Sequence, residues 1–259
     1  MKPSAIVVFD IDGVVRDVKQ SYLRALADTV EYFTSGAYRP QLSEIDTLKS
    51  EGLWNNDWEA SQEMIYRFFE AQGQPRATIR LNYEALVAFF QARYRGPTPE
   101  SWTGYIQDEP LLLSSNYLTG LTHSGIAWGF FSGATRASAL YVLEKRLGLD
   151  SPVLVAMEDA PSKPDPTGLL AAVQQLDEWA VEANLPVFYV GDTVADLYTV
   201  QQAQAIERSR RWIGVGVIPP HVQDRLGYTA YLQEAGAAVV LDNVEQLTPE
   251  RIIALLSMK

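Results

Sequence analysis

The chain has 259 residues, 47% hydrophobic and 20% charged, with a formal net charge of −11. That balance leaves ample material for a core, and the acidic excess disfavours nucleic acid or an anionic membrane as partner. There are no cysteines and two histidines, His123 and His221, which excludes disulfides, thiolate metal sites and cysteine nucleophiles and weighs against a multi-histidine metal site. No apolar run reaches the length of a membrane span, and the amino-terminal stretch is too short for a signal peptide. The expectation is a cytoplasmic protein whose oligomeric state stays open.

Ala5 to Phe9 is a run of apolar, mostly β-branched residues that ends in Asp10-Ile11-Asp12-Gly13, and it reads as a buried parallel strand closed by a turn. Tyr22, Leu23, Leu26, Val30 and Phe33 then recur at helical spacing up to Ser35-Gly36. Ser43 with Asp46 suggests a short capped helix. Asp57 is placed to cap another, with Met64, Ile65, Phe68 and Phe69 as its stripe, and Asn82 a third, running to Arg95 before Gly96-Pro97. Nothing from Val18 to Asp108 reads as a strand. Beyond Pro110 helix and strand alternate: a helix Leu112–His123, strand Ile126–Phe131, helix Ala137–Leu147, strand Val153–Ala156, helix Gly168–Glu182, strand Pro186–Val190, helix Ala195–Arg208, strand Trp212–Val217, helix Tyr228–Ala235, strand Ala238–Leu241 and helix Pro249–Leu256. This alternation predicts a doubly wound parallel sheet. The first strand joins it from across the helical block, so the block is an insertion and the α/β core is discontinuous.

The core strands end in polar groups. Asp10 and Asp12, two apart on an extended strand, face the same side, although aspartates at a turn also serve local backbone. Phe131 runs into Ser132-Gly133-Ala134-Thr135-Arg136, where a hydroxyl and helix-opening amides suit an anionic oxygen or an ordinary cap. Lys163 lies in the proline-stiffened Pro161-Ser162-Lys163-Pro164, and Val190 runs into Gly191-Asp192-Thr193-Val194-Ala195-Asp196.

In order, Asp-x-Asp-Gly, Ser, Lys-Pro and Gly-Asp-x-x-x-Asp, each after its own apolar strand, resemble the haloacid dehalogenase superfamily, and within it the first subfamily, whose helical cap is inserted after the first motif. A similar Asn-Asn-Asp-Trp segment marks one uncharacterised group of that subfamily. The resemblance covers essentially the whole chain and implies a Rossmann-like α/β core, residues 1–17 and 109–259, with an all-helical cap domain, residues 18–108. It implies a Mg²⁺-dependent phosphatase acting on a small phosphorylated metabolite through an aspartyl-phosphate. Asp10 would be the nucleophile and Asp12 the general acid and base. Ser132 and Lys163 would hold the phosphoryl group, and Asp10, the Asp12 carbonyl, Asp192 and Asp196 would surround Mg²⁺. Sugar phosphomutase, phosphonate hydrolase and non-catalytic binding protein remain alternatives. Dehalogenation is disfavoured because dehalogenases lack an acid equivalent to Asp12, and a phosphonate hydrolase needs a cap lysine in a recognisable setting, which neither Lys19 nor Lys49 has. Substrate choice is expected from Asn55, Asn56, Asp57 and Trp58, with Gly133 beside the phosphoryl group and Arg16, Arg76 and Arg80 as candidate anion contacts. For Trp54 and Trp58 core packing is the simpler reading. Arg208-Ser209-Arg210-Arg211 reads as a solvated basic face, and the histidines receive no role.

Overall fold

The computed structural model describes residues 4–19, 21–51, 53–54, 56–178 and 184–257. The chain divides into two compact units, Met1–Asp17 with Pro110–Lys259, and Val18–Glu109.

Among its described residues the second unit holds helices joined by turns and loops, and no strand. Helices α1 (Tyr22–Phe33), α2 (Leu42–Ser50), α3 (Asp57–Ala71) and α4 (Tyr83–Tyr94) are arranged so that α1 packs against both α3 and α4. The apolar spacing explains this, because Leu23, Leu26 and Val30 form one buried stripe. Rings add to it: Tyr22 stacks on Tyr94 at 4.1 Å between centroids, and Tyr32 on Phe89 at 4.2 Å. The caps differ by a residue or two from expectation. Gln41, not Ser43, opens α2 through a reciprocal box with Glu44. Asn56, not Asp57, caps α3, its side chain accepting from the Trp58 amide at 2.9 Å. Either residue type can cap, so the spacing left the choice open. Asn82 caps α4 as expected, accepting from the Ala85 amide at 3.0 Å.

The discontinuous unit holds one parallel sheet. Its strands are β1 (Ala5–Phe9), β2 (Ile126–Phe131), β3 (Leu154–Val155), β4 (Val187–Gly191), β5 (Trp212–Val217) and β6 (Val239–Leu241), in the order β3-β2-β1-β4-β5-β6. With helices α5 (Ser115–His123), α6 (Arg136–Leu140), α7 (Thr167–Asp177), α8 (Val194–Ile206), α9 (Arg225–Glu234) and α10 (Pro249–Ser257), this is a Rossmann-like doubly wound fold. The strand order reverses between β1 and β4, and such sheets bind ligands beyond the carboxyl ends of the strands at that point. Every residue of β1 is buried, hence a continuous apolar run rather than an alternation. The register sets Phe9 beside Phe130 and Val190, which brings the residues just past β1, β2 and β4 to one edge.

Several boundaries move for identifiable reasons. The expected start of α5 at Leu112 fails because that amide donates to the Val15 carbonyl at 2.8 Å, and Ser114 supplies the cap. After α6 the chain passes into a π-turn over Tyr141–Arg146, one residue per turn wider than the α spacing assumed. Helix α9 begins ahead of Tyr228 because Asp224 accepts from the Gly227 amide at 2.9 Å. Residues 179–182, expected to extend α7, lie outside the described residues. The run Arg208–Arg211 is not simply a solvated face: Arg210 is buried and pairs with Asp177 at 2.6 Å, while Arg211 donates to the Leu255 carbonyl at 3.0 Å. Among the described residues no helix is long and apolar enough to cross a membrane.

Candidate active site

The residues ending β1 and β4 and the loop after β3 meet around one ammonium group. Lys163 Nζ lies 2.8 Å from Asp10 Oδ1 and 2.7 Å from Asp196 Oδ1. The same Nζ lies over the rings of Phe131 and Tyr189, at 5.3 and 5.5 Å from their centroids. A buried ammonium loses hydration, so it needs such partners. Burial pulls the Lys163 pKa down, yet Asp10 and Asp196 outweigh it and hold the group charged, well above its ordinary value.

The three carboxylates near this lysine are not equivalent. Asp196 Oδ1 accepts from Lys163 and from the Tyr189 hydroxyl at 3.1 Å. Its Oδ2 accepts from the Thr193 amide at 3.0 Å and the Thr193 hydroxyl at 2.6 Å. A carboxylate offers about four lone-pair positions, and these four bonds occupy them. Burial alone would raise the Asp196 pKa, but Lys163 and Thr193 hold it below the ordinary value. Asp192 is the opposite case. Among the described residues its carboxylate receives no hydrogen bond or ion pair, and burial, then Asp196 and Asp10, push its pKa well up. Asp10 lies between. Burial, helped by Asp196 and Asp12 and opposed by Lys163, moves it up to about 7.

Two glycines permit this crowding. Gly13 has φ +76°, and a Cβ there would stand 2.1 Å from Asp192 Oδ2, so the turn after β1 lies directly against the Asp192 carboxylate. At Gly191 a Cβ would meet the Asp196 side chain at 2.2 Å. Asp10, Asp192 and Asp196 each bring an oxygen within 4.8 Å of the others. Hard oxygen donors at this spacing, two of them on carboxyls driven towards protonation by burial and then by their acidic neighbours, fit a hard divalent cation. Asp196 meets Lys163, Tyr189 and Thr193 at both oxygens, whereas Asp10 is paired with Lys163 through Oδ1.

Ser132 follows β2 and is 1% exposed; its Oγ accepts from the Ala134 amide at 3.1 Å, which leaves its proton to be donated. Gly133 is exposed, with open space where a Cβ would point. Of the two readings for the helix opening, the ordinary cap is present: the Ser138 amide donates to the Thr135 hydroxyl, and the Arg136 amide donates to Glu158 at 2.8 Å. Asp12 is half-buried and pairs with Arg16 at 2.6 Å. Arg16 itself is fully enclosed, so it does not stand out towards a ligand as an anion contact would.

In the helical unit, Asn56 is committed to its cap and Asp57 pairs with Lys49 at 2.6 Å. Trp58 is half-buried, and Asn55 lies outside the described residues. Arg76 pairs with Glu63 and Glu70 at 2.8 and 3.0 Å, and Arg80 is exposed. Three contributors escape sequence reasoning. The Tyr189 hydroxyl has both Asp196 Oδ1 and the Phe131 carbonyl within reach of its single proton, Thr193 completes a capping box with Asp196, and Tyr228 donates to the Asp192 carbonyl at 2.7 Å. Only Thr193 left a signal, in the Thr-x-x-Asp spacing of such a box.

The lysine-bridged carboxylate cluster lies beyond the switch point of a doubly wound sheet, the place where α/β folds of this kind bind their ligands. The model of haloacid dehalogenase-like hydrolases matches residues 5–204, and the chain belongs to that family of hydrolytic enzymes. It is 29% identical over 251 residues to an imidazoleglycerol-phosphate dehydratase of Phytophthora nicotianae, a match covering 92% of this chain and 50% of that protein. The chain thus spans half the length of that relative. Among solved structures, a phosphatase of Thermococcus thioreducens superposes with TM-score 0.64 at 21% identity, over 85% of this chain and 95% of that one. A phosphonoacetaldehyde hydrolase-like protein of Oleispira antarctica gives TM-score 0.67 at 17% identity, over 97% and 92%. Both likenesses concern the fold.

Proposed function

We propose that this protein is a Mg²⁺-dependent phosphatase that hydrolyses a small organic phosphate monoester through an aspartyl-phosphate. The observation that carries the reading is the division of labour among the carboxylates. Asp196 is saturated and anchors Lys163, Asp192 is left for a cation, and Asp10 stands between them with one oxygen on the lysine. Asp10, Asp192 and the main-chain carbonyl of Asp12 are the groups proposed to hold Mg²⁺. Bound there, the ion would keep both carboxylates ionised and offset the charge of a phosphate dianion.

In the first step an Asp10 oxygen attacks phosphorus as the bond to the leaving oxygen breaks, and Asp12 delivers a proton to that oxygen, releasing the alcohol. In the second step water attacks the phosphorus of the aspartyl-phosphate, Asp12 takes the proton, and phosphate leaves with Asp10 restored. Throughout, Ser132 donates its hydroxyl proton to a phosphoryl oxygen, and Lys163 offsets negative charge on the phosphoryl group and on Asp10. The helical unit is proposed to serve as the cap that selects among esters. The name of the Phytophthora relative supports placing phosphorylated imidazole alcohols first in a substrate screen, ahead of sugar, polyol, glycolate and nucleotide phosphates.

The test is Mg²⁺-dependent release of phosphate, with Asp10→Asn as the decisive variant. Turnover should fall by about 10⁴-fold or more while circular dichroism stays that of the parent. Activity persisting in a folded Asp10→Asn protein refutes the mechanism.

A further inference from the structure

Arg16 is among the largest fully buried side chains of the protein, at 0% exposure. A guanidinium cannot shed its charge on burial, so its position is fixed by its partners. Its Nε donates to Asp12 Oδ1 at 2.6 Å. The backbone around it is held as firmly: the Arg16 amide donates to the Ile11 carbonyl at 3.1 Å, the Gly13 amide donates to the Arg16 carbonyl at 2.9 Å, and Arg16 bridges to both Asp12 and Leu111. The turn that carries Asp12 therefore folds back on the residue that grips its side chain.

The direction of that bond has a chemical consequence. An N–H group donates, so Oδ1 is an acceptor in this contact. A proton carried by Asp12 belongs on the other oxygen, Oδ2. From this we infer that Arg16 is a positioning residue for Asp12: it holds the carboxyl in one orientation through Oδ1 and reserves Oδ2 for proton exchange with the leaving oxygen. The role rests on the phosphatase reading above, and Arg16 acts through Asp12 without touching the substrate.

A residue that positions the acid matters in proportion to how much the leaving group needs a proton. An alkoxide leaves poorly unprotonated, whereas p-nitrophenolate leaves readily without help. The value of kcat/KM reports steps up to the first irreversible one, here phosphoryl transfer to Asp10. The measurement is thus kcat/KM for glycerol 2-phosphate and for p-nitrophenyl phosphate, with Mg²⁺, in the parent, Arg16→Gln, Arg16→Lys, Asp12→Asn and the double variant Asp12→Asn/Arg16→Gln.

Arg16→Gln should lower the alkyl-to-aryl ratio by about 100-fold, the scale of a lost general acid. Arg16→Lys should fall between Arg16→Gln and the parent, and it carries the same test if Arg16→Gln does not fold. Because Arg16 works through Asp12, the double variant should lose no more of the ratio than Asp12→Asn alone. A common drop on both esters in any folded Arg16 variant, or an added loss in the double variant, overturns the role and reduces Arg16 to a packing residue. Failure of the reading beneath it looks different, since the parent protein would then release phosphate from neither ester.

Discussion

In the α/β unit, Lys163, Asp10 and Asp196 are 12%, 9% and 1% exposed at their side chains. In the helical unit, Glu63 sits between Arg67 and Arg76, whose side chains are 45% and 46% exposed. Both are clusters of opposite charge at hydrogen-bond distance, yet the physics differs. Enclosed ions have lost their water and depend on one another, so removing one strands the rest. Exposed ions keep their water, and a pair there contributes little. A buried cluster of this kind is weak evidence for stability, and the proposed chemistry is what accounts for three charges enclosed at the switch point.

The contrast is broken most forcefully at Lys163. Lys163→Met should destabilise the protein by about 3–5 kcal/mol, because Asp10 and Asp196 are left buried without their cation. It should also remove phosphate hydrolysis. Adding Asp196→Asn to Lys163→Met should recover much of the stability and none of the activity, since a buried pair replaced on both sides costs far less than one broken on one side. Urea unfolding of the two variants checks this, and a double variant no more stable than the single one contradicts it.

Next in size is the response to Mg²⁺. With Asp10 raised to about 7 and Asp192 also raised, both carboxyls hold protons in the metal-free folded state at pH values where they are ionised in the unfolded chain. The folded state then binds more protons than the unfolded one, so these two groups make metal-free stability fall as pH rises from the ordinary carboxylate range towards 7. A cation must displace those protons, so its affinity should weaken below pH 7 and its binding should release protons. Mg²⁺ at about 100 times its Kd should stabilise the protein by about 2.7 kcal/mol. Thermal melts with and without Mg²⁺ across this pH range test the sign, and calorimetry in buffers of different ionisation enthalpy counts the protons. Asp192→Asn should abolish the Mg²⁺ response; a response that survives removes Asp192 from the proposed ligand set.

What could be read from the sequence follows the same division. Asp10 and Asp192 stood out because each follows an apolar strand, Lys163 because prolines stiffen its loop, and Asp196 because a second acid opens the helix after β4; the parallel sheet then brings strand ends together. Tyr189 did not, because inside a buried strand a tyrosine reads as one more apolar filler, and its hydroxyl bond to Asp196 is a property of the fold. Arg16 reads from the sequence as a candidate anion contact, and only the turn that folds back on Asp12 encloses it. In the helical unit the stripe of α1 was legible from its period, while the cap of α3 fell one residue early, at Asn56. Two adjacent residues were competent there, and the amides of Trp58 and Glu59 decided between them.

The smallest effect is expected where the second cluster is cut. Glu63 accepts from Arg67 Nε at 2.8 Å and from Arg76 Nη2 at 2.8 and 2.9 Å, and its own side chain is only 8% exposed. By contact geometry alone it looks as tightly held as Asp196. Its partners, however, keep other company: Arg67 also pairs with Glu51 at 2.6 Å and Arg76 with Glu70 at 3.0 Å, and both guanidinium groups remain in water. Glu63→Gln should therefore cost about 1 kcal/mol, the scale of a solvated pair, against several for Lys163→Met. The urea midpoints of the two variants, measured side by side at pH 7, place them on one scale. If Glu63→Gln costs as much as Lys163→Met, exposure of the partner does not set the cost of a broken pair in this protein, and the distinction between its two charge clusters fails.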